Sequence, residues 1–124
     1  MILDMEALRD VLAADRRVVL AVHFGSSVSG VVREGSDVDL GVLLYPVLSP
    51  AEFYAFYVEM TAKLSFIPEL DLVDLNHAGS VLAFEALCGR RLVVRDAEAV
   101  AAFSSRVARE YESDMLHART HRAA

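Results

Sequence analysis

The sequence predicts an α/β (α+β) fold, a small mixed β-sheet with helices packed on it. Three observations carry this. Short β-rich apolar runs alternate with stretches of helical period. The breaks between them fall at turn and cap residues: Gly25, Ser49-Pro50, Gly89 and Asp96. The apolar runs are also too short for a membrane span of about 20 residues. Val18 to Val22 is followed by His23, and Val42 to Tyr45 by Pro46.

The elements follow in order. Asp4 to Ala14 places Met5, Leu8, Val11 and Leu12 on one helical face. Arg17 to Phe24 is a strand ending at a glycine. Gly25 to Gly35, rich in Gly and Ser, is a loop or short helix before the next strand, Val38 to Leu44. Ser49-Pro50-Ala51-Glu52 has serine for an N-cap, proline at N1 and glutamate at N3, a capping box. The helix it opens carries Phe53, Phe56/Tyr57, Met60 and Lys63/Leu64 at helical spacing, an aromatic stripe that belongs to the core. Leu70 to Leu75 is the third strand. A helix from about Ala78 to Cys88 stops at Gly89. Arg91 to Arg95 is a short edge strand. Asp96 caps a last helix whose Val100, Phe103, Val107 and Tyr111 share one side, and residues after about Asp114 read as a frayed tail.

These elements make one domain: an N-terminal helix at 1–16, a core at 17–95, and a C-terminal helix and tail at 96–124. A chain of this length buries roughly two thirds of its unfolded surface, so no disulfide is needed. The single cysteine, Cys88, is expected as a small buried apolar residue, and a reducing cytoplasm as the location. The N-terminus lacks the basic start and long apolar stretch of a signal peptide. The formal net charge is −6, and eleven of the twelve basic residues are Arg, leaving Lys63 as the only lysine. Binding a polyanion depends on Lys and Arg, so a nucleic acid is not an expected partner, and with no apolar run of about 20 residues neither is a membrane.

The chemistry concentrates between Gly25 and Leu40. Asp37 and Asp39 stand two apart at the start of a strand, so their side chains leave the same face, while Val38 and Leu40 point into the core. Adjacent carboxylates repel, and a cation between them relieves this; hard oxygen pairs suit Mg²⁺. Gly25 lets the chain turn tightly and bring backbone N–H groups to an anion, and Ser26 adds a hydroxyl. Phosphates at Gly25-Ser26 and metal at Asp37/Asp39 make a site for a nucleoside triphosphate with its magnesium. Ser36 supports the loop by hydrogen bonding. Gly25 and Gly30 match half of a P-loop, but Val31-Val32 stand where Lys-Ser/Thr must follow. The glycine spacing is also wrong for a dinucleotide fingerprint. His117 and His121, four apart, lie in the Arg-rich tail and read as solvated; His23 and His77 read as packing or capping residues.

Gly25-Ser26, ten residues, then Asp37-x-Asp39 resembles the signature of the DNA polymerase β-like nucleotidyltransferases. More narrowly, Glu69-Leu70-Asp71-Leu72-Val73-Asp74-Leu75, Val81-Leu82-Ala83-Phe84-Glu85 and Gly89-Arg90-Arg91-Leu92-Val93 resemble the minimal nucleotidyltransferase (MNT) antitoxins of HEPN/MNT toxin–antitoxin pairs. The resemblance runs from about Val18 to Asp96. It implies a third metal-ligating carboxylate at Asp71, while Asp74, three residues on, points to the other face of a regular strand. Many relatives carry arginines within the loop, as in Gly-Ser-Arg-Ala-Arg-Gly, where this chain has Ser27-Val28-Ser29, with Arg33 further on.

The expected activity is Mg²⁺-dependent nucleotidyl transfer from ATP by Asp37, Asp39 and Asp71, with Gly25, Ser26 and Ser36 at the nucleotide. The resemblance implies a protein acceptor, a tyrosine of a cognate HEPN ribonuclease toxin, neutralised by AMP. The rival readings are an antitoxin that masks its toxin without chemistry and a small-molecule adenylyltransferase completed by a partner subunit.

Overall fold

The structure, a computed structural model, describes residues 2–25, 27–28 and 37–123, with side chains as far as 119. Among these, four helices and four strands follow in the order α1 (Met5–Ala14), β1 (Val18–Phe24), β2 (Val38–Leu44), α2 (Pro50–Lys63), β3 (Leu70–Asp74), α3 (Ser80–Leu87), β4 (Arg90–Val94) and α4 (Ala97–Ala123). The fold is the α+β class expected.

Local chemistry sets the helix starts. The Asp4 carboxylate accepts from Ala7 N–H at 3.1 Å, and the Asp96 carboxylate from Ala99 N–H at 3.1 Å. At α2 the capping box closes in both directions, Glu52 N–H to Ser49 Oγ at 3.2 Å and Ser49 N–H to Glu52 Oε1 at 2.9 Å. Each satisfies donors that the first helical turn leaves unpaired.

The strands form one mixed sheet in the order β3-β2-β1-β4. β1 runs antiparallel to both β2 and β4, whereas β3 is parallel to β2. A parallel pair needs a crossover, and α2 supplies it. One face of the sheet packs Val18, Ala21, Val38, Leu40 and Leu72 against Leu8 and Leu12 of α1 and Phe56 and Met60 of α2. The other packs Leu20, Val22, Phe24, Leu43 and Leu75 against Ala83 and Ala86 of α3 and Val100, Phe103 and Val107 of α4. The stripe on α2 is thus core, as its spacing predicts. Tyr57 from that helix closes the β3 edge: its hydroxyl donates to Leu70 C=O at 2.8 Å and accepts from Leu72 N–H at 3.1 Å.

Two expectations fail. Cys88 is exposed. It is the C-cap residue of α3, followed by Gly89, where an added Cβ would come within 2.5 Å of the His23 carbonyl oxygen and 2.7 Å of Phe24 Cβ. The chain approaches β1 through Gly89, which leaves Cys88 on the outside. The segment after Asp114 is also not a frayed tail: α4 continues to Ala123. Residues 97–124 contain neither Gly nor Pro and are rich in Ala, Arg and Glu, so backbone propensity carries the helix past the point where its apolar face ends.

Candidate active site

The C-terminal end of β1 and the N-terminal ends of β2 and β3 meet at one end of the sheet. There Val38 pairs with Leu70 and Asp39 with Asp71 across the parallel ladder, while Phe24 pairs with Asp39 across the antiparallel one. Parallel register places Asp39 and Asp71 side by side on one face, and the period of two puts Asp37 there as well. Each of Asp37, Asp39 and Asp71 offers one carboxylate oxygen, and the three oxygens lie within 4.8 Å of one another. Asp39 is half-buried and the other two are exposed. Val38 and Leu40, which alternate with Asp37 and Asp39 along the strand, are fully buried.

The electrostatics follow from this crowding. Burial, then the charges of Asp71 and Asp37, push the Asp39 carboxyl above its ordinary value, with a hydrogen bond to Asp71 adding to the effect. Among the described residues none of the three makes an ion pair. A hard divalent cation fits such a donor set: three oxygens converge, and they carry negative charge that no described side chain offsets.

Gly25 adjoins the carboxylates. Its φ is +81°, the only positive φ among the described residues, and a Cβ there would collide with Asp39 Oδ2 and lie 3.3 Å from Cγ. Glycine is required for both reasons: the left-handed backbone and the contact with the carboxylate. The chain then turns, Val28 N–H donating to Gly25 C=O at 3.3 Å. Ser27 Oγ folds inward to 2.9 Å from His23 Nε2. Ser26 and Ser36 lie outside the described residues, as do Ser29 and Arg33.

Asp74 stands apart, as strand parity requires. Its carboxylate accepts from Asn76 N–H at 3.0 Å and contacts His77 Nδ1 at 2.8 Å, stabilising the turn after β3. His77 thus has the local role expected of it.

Sequence reading missed Glu69 and Glu85 as neighbours of the triad. Glu69 lies within hydrogen-bonding reach of Asp37, which pushes its carboxyl upward, and Glu85 on α3 adds to the potential at Asp39. Glu69 borders the site through strand pairing, since the register that pairs Val38 with Leu70 sets residue 37 beside residue 69. Glu85 reaches the site only through the packing of α3. The clefts of about 750 and 540 Å³ around Val19 and Tyr45 lie at the other end of β1 and β2 and contain none of these carboxylates.

Comparison with known proteins bears on this geometry. The profile of a family described as "Polymerase beta, Nucleotidyltransferase" matches residues 6–99. A comparison with curated protein sequences finds no match. Several solved structures share the fold. A toxin–antitoxin crystal structure with AMP-PNP aligns at a TM-score of 0.77 and 21% identity, over 95% of this chain and 94% of the other. The toxin–antitoxin MntA-HepT aligns at 0.70 and 19%, over 94% and 91%. A structure of a tri-AMPylated Shewanella oneidensis HEPN toxin in complex with an MNT antitoxin aligns at 0.66 and 20%, over 94% and 87%.

Proposed function

Because the chain belongs to the polymerase β-type nucleotidyltransferase family, we propose that it is an MNT-type antitoxin that transfers AMP from ATP to a tyrosine of a cognate HEPN toxin. The observation that carries this reading is the convergence of Asp37, Asp39 and Asp71 within 4.8 Å, beside a turn that only glycine can begin. It is supported by the solved relatives of matching fold, one holding AMP-PNP and one an AMPylated toxin.

In this reading the three aspartates hold Mg²⁺. The ion, when bound, neutralises charge on the α-phosphate and on the departing pyrophosphate. The chain's own groups do the rest. Backbone N–H groups after Gly25, with Ser26, bind the triphosphate, and Ser36 supports the loop. Asp71 orients the acceptor hydroxyl and accepts its proton. The tyrosine oxygen forms a bond to the α-phosphorus, the bond from that phosphorus to the bridging oxygen breaks, and pyrophosphate leaves. The chain acts as one nucleotidyltransferase domain in the cytoplasm, and its acidic net charge of −6 favours a protein over a nucleic acid as the acceptor.

The experiment offers radiolabelled ATP and Mg²⁺ with cognate toxin, with bulk tRNA, and with neither. Label is expected on the toxin band, resistant to nuclease. Label on tRNA alone would make the protein an RNA nucleotidyltransferase. Toxin neutralised without label would make it a masking antitoxin. Label on neither, but on an added aminoglycoside in the presence of the partner, would make it a drug-modifying enzyme.

A further inference from the structure

Two polar side chains are sealed beneath the turn that follows β1. His23 is 0% exposed and Ser27 1%, and their Nε2 and Oγ atoms are 2.9 Å apart. His23 pairs with Leu40 and Arg90 in the sheet, one residue out of step with the pairing of Phe24 and Asp39. Its side chain therefore leaves the face opposite the carboxylates. The turn is consequently held from both sides. In front, Gly25 lies against the Asp39 carboxylate with no room for a Cβ. Behind, the Ser27 hydroxyl reaches through to the imidazole.

An apolar pair would fill this space without the desolvation that a buried imidazole and hydroxyl incur. The bond to Ser27 is the only described polar contact of that ring, since Nδ1 is buried with no partner among the described residues. Burial, aided by the charge of Arg90, holds His23 below its ordinary value and so in the neutral form. A neutral imidazole has one donor and one acceptor, and a serine hydroxyl is both, so either tautomer makes the bond. Ser27 points inward and is not itself a phosphate ligand.

From this arrangement we infer that His23 and Ser27 form a buried latch that fixes the Gly25–Val28 turn in the orientation that binds the triphosphate. Both are positioning residues, acting through the backbone of the turn. The inference rests on the nucleotidyltransferase reading of the site.

The test uses the purified full chain and four variants: Ser27→Ala, His23→Leu, His23→Gln, and Ser27→Ala with His23→Leu. Two readouts are taken: amide hydrogen exchange at residues 25–28 without nucleotide, and calorimetric binding of AMP-PNP with Mg²⁺. Ser27→Ala and His23→Leu should each speed exchange at Val28 about tenfold and weaken nucleotide binding about tenfold, as expected when a buried hydrogen bond is lost. The double variant should be little worse than either single one, because one interaction is removed twice. Glutamine, whose amide reaches the Nε2 position, should stay within about threefold of wild type. Merely structural residues would lower the melting temperature and leave affinity unchanged below it, and that result overturns the latch. Unchanged exchange in Ser27→Ala overturns it as well. If exchange rises as expected but the wild type binds no AMP-PNP, the latch exists and the nucleotide reading of the turn is what fails.

Discussion

Asp39→Asn removes one charge from the crowded carboxylates at nearly constant volume, and its effect on stability should reverse with metal. The magnitude follows from the geometry. Each neighbouring carboxylate oxygen lies within 4.8 Å, where two unit charges repel by about 0.9 kcal/mol in water and about 3.5 kcal/mol at an effective dielectric of 20. Asp37 and Asp71 are exposed, so screening keeps each term near the lower value, and two neighbours sum to about 2 kcal/mol. At roughly 3 to 6 °C per kcal/mol for a chain of this size, Asp39→Asn should melt about 6 to 12 °C higher than wild type in EDTA at neutral pH. The pH dependence has a fixed sign. The Asp39 carboxyl is raised in the folded state, so wild type loses stability as the pH climbs through that raised value. The advantage of asparagine should grow above about pH 4 and vanish below it, where both chains are neutral at this position. Added Mg²⁺ should stabilise wild type and do little for the variant. The assay is thermal unfolding followed by circular dichroism, with EDTA and with Mg²⁺, from pH 3 to pH 8. An equal or lower melting temperature for the variant in EDTA would refute the shared-charge reasoning. The same variant, folded, should lose about 10²-fold or more in AMP transfer.

The other predictions concern neighbouring positions. Asp71→Ala should eliminate AMP transfer, whereas Asp74→Ala should cost only modest stability through its Asn76 and His77 contacts; the reverse ranking in a labelling assay would contradict the strand register. Gly25→Ala should lower stability by about 1 to 2 kcal/mol in urea titration and reduce transfer, since a left-handed φ and the Asp39 carboxylate both oppose a Cβ there. Asp15 is held below the ordinary carboxylate value by its bond to Arg17, with Nη2 to Oδ2 at 2.6 Å. Its contribution is present above the unfolded pKa and lost as the pH falls through the folded one. Asp15→Asn should therefore destabilise at pH 7 and cease to differ from wild type once the pH has fallen below the lowered folded-state value, as read by the melting temperature.

Much of this protein is local and so was legible in order along the chain. The caps at Asp4, Ser49 and Asp96 act within three residues of themselves. The alternation of Asp37, Val38, Asp39 and Leu40 fixes which side chains share a face, whatever the strand pairs with. Parity likewise separated Asp71 from Asp74 before any partner strand was known. Family resemblance, not periodicity, pointed to Asp71 as the third carboxylate. Only the tertiary structure brought it beside Asp39, because parallel pairing of β2 and β3 is a contact across a crossover helix. The same pairing decided that Glu69 borders the site. Packing decided that Cys88 faces solvent, since the close approach of Gly89 to β1 turns the neighbouring residue outward. The His23–Ser27 contact belongs to this second class. Its residues are four apart in sequence, a spacing common in chains of every kind, and only a strand end folding back on its own rear face makes that spacing a bond. Periods and caps depend on the backbone alone and are written residue by residue, whereas burial and register depend on what arrives from elsewhere in the chain.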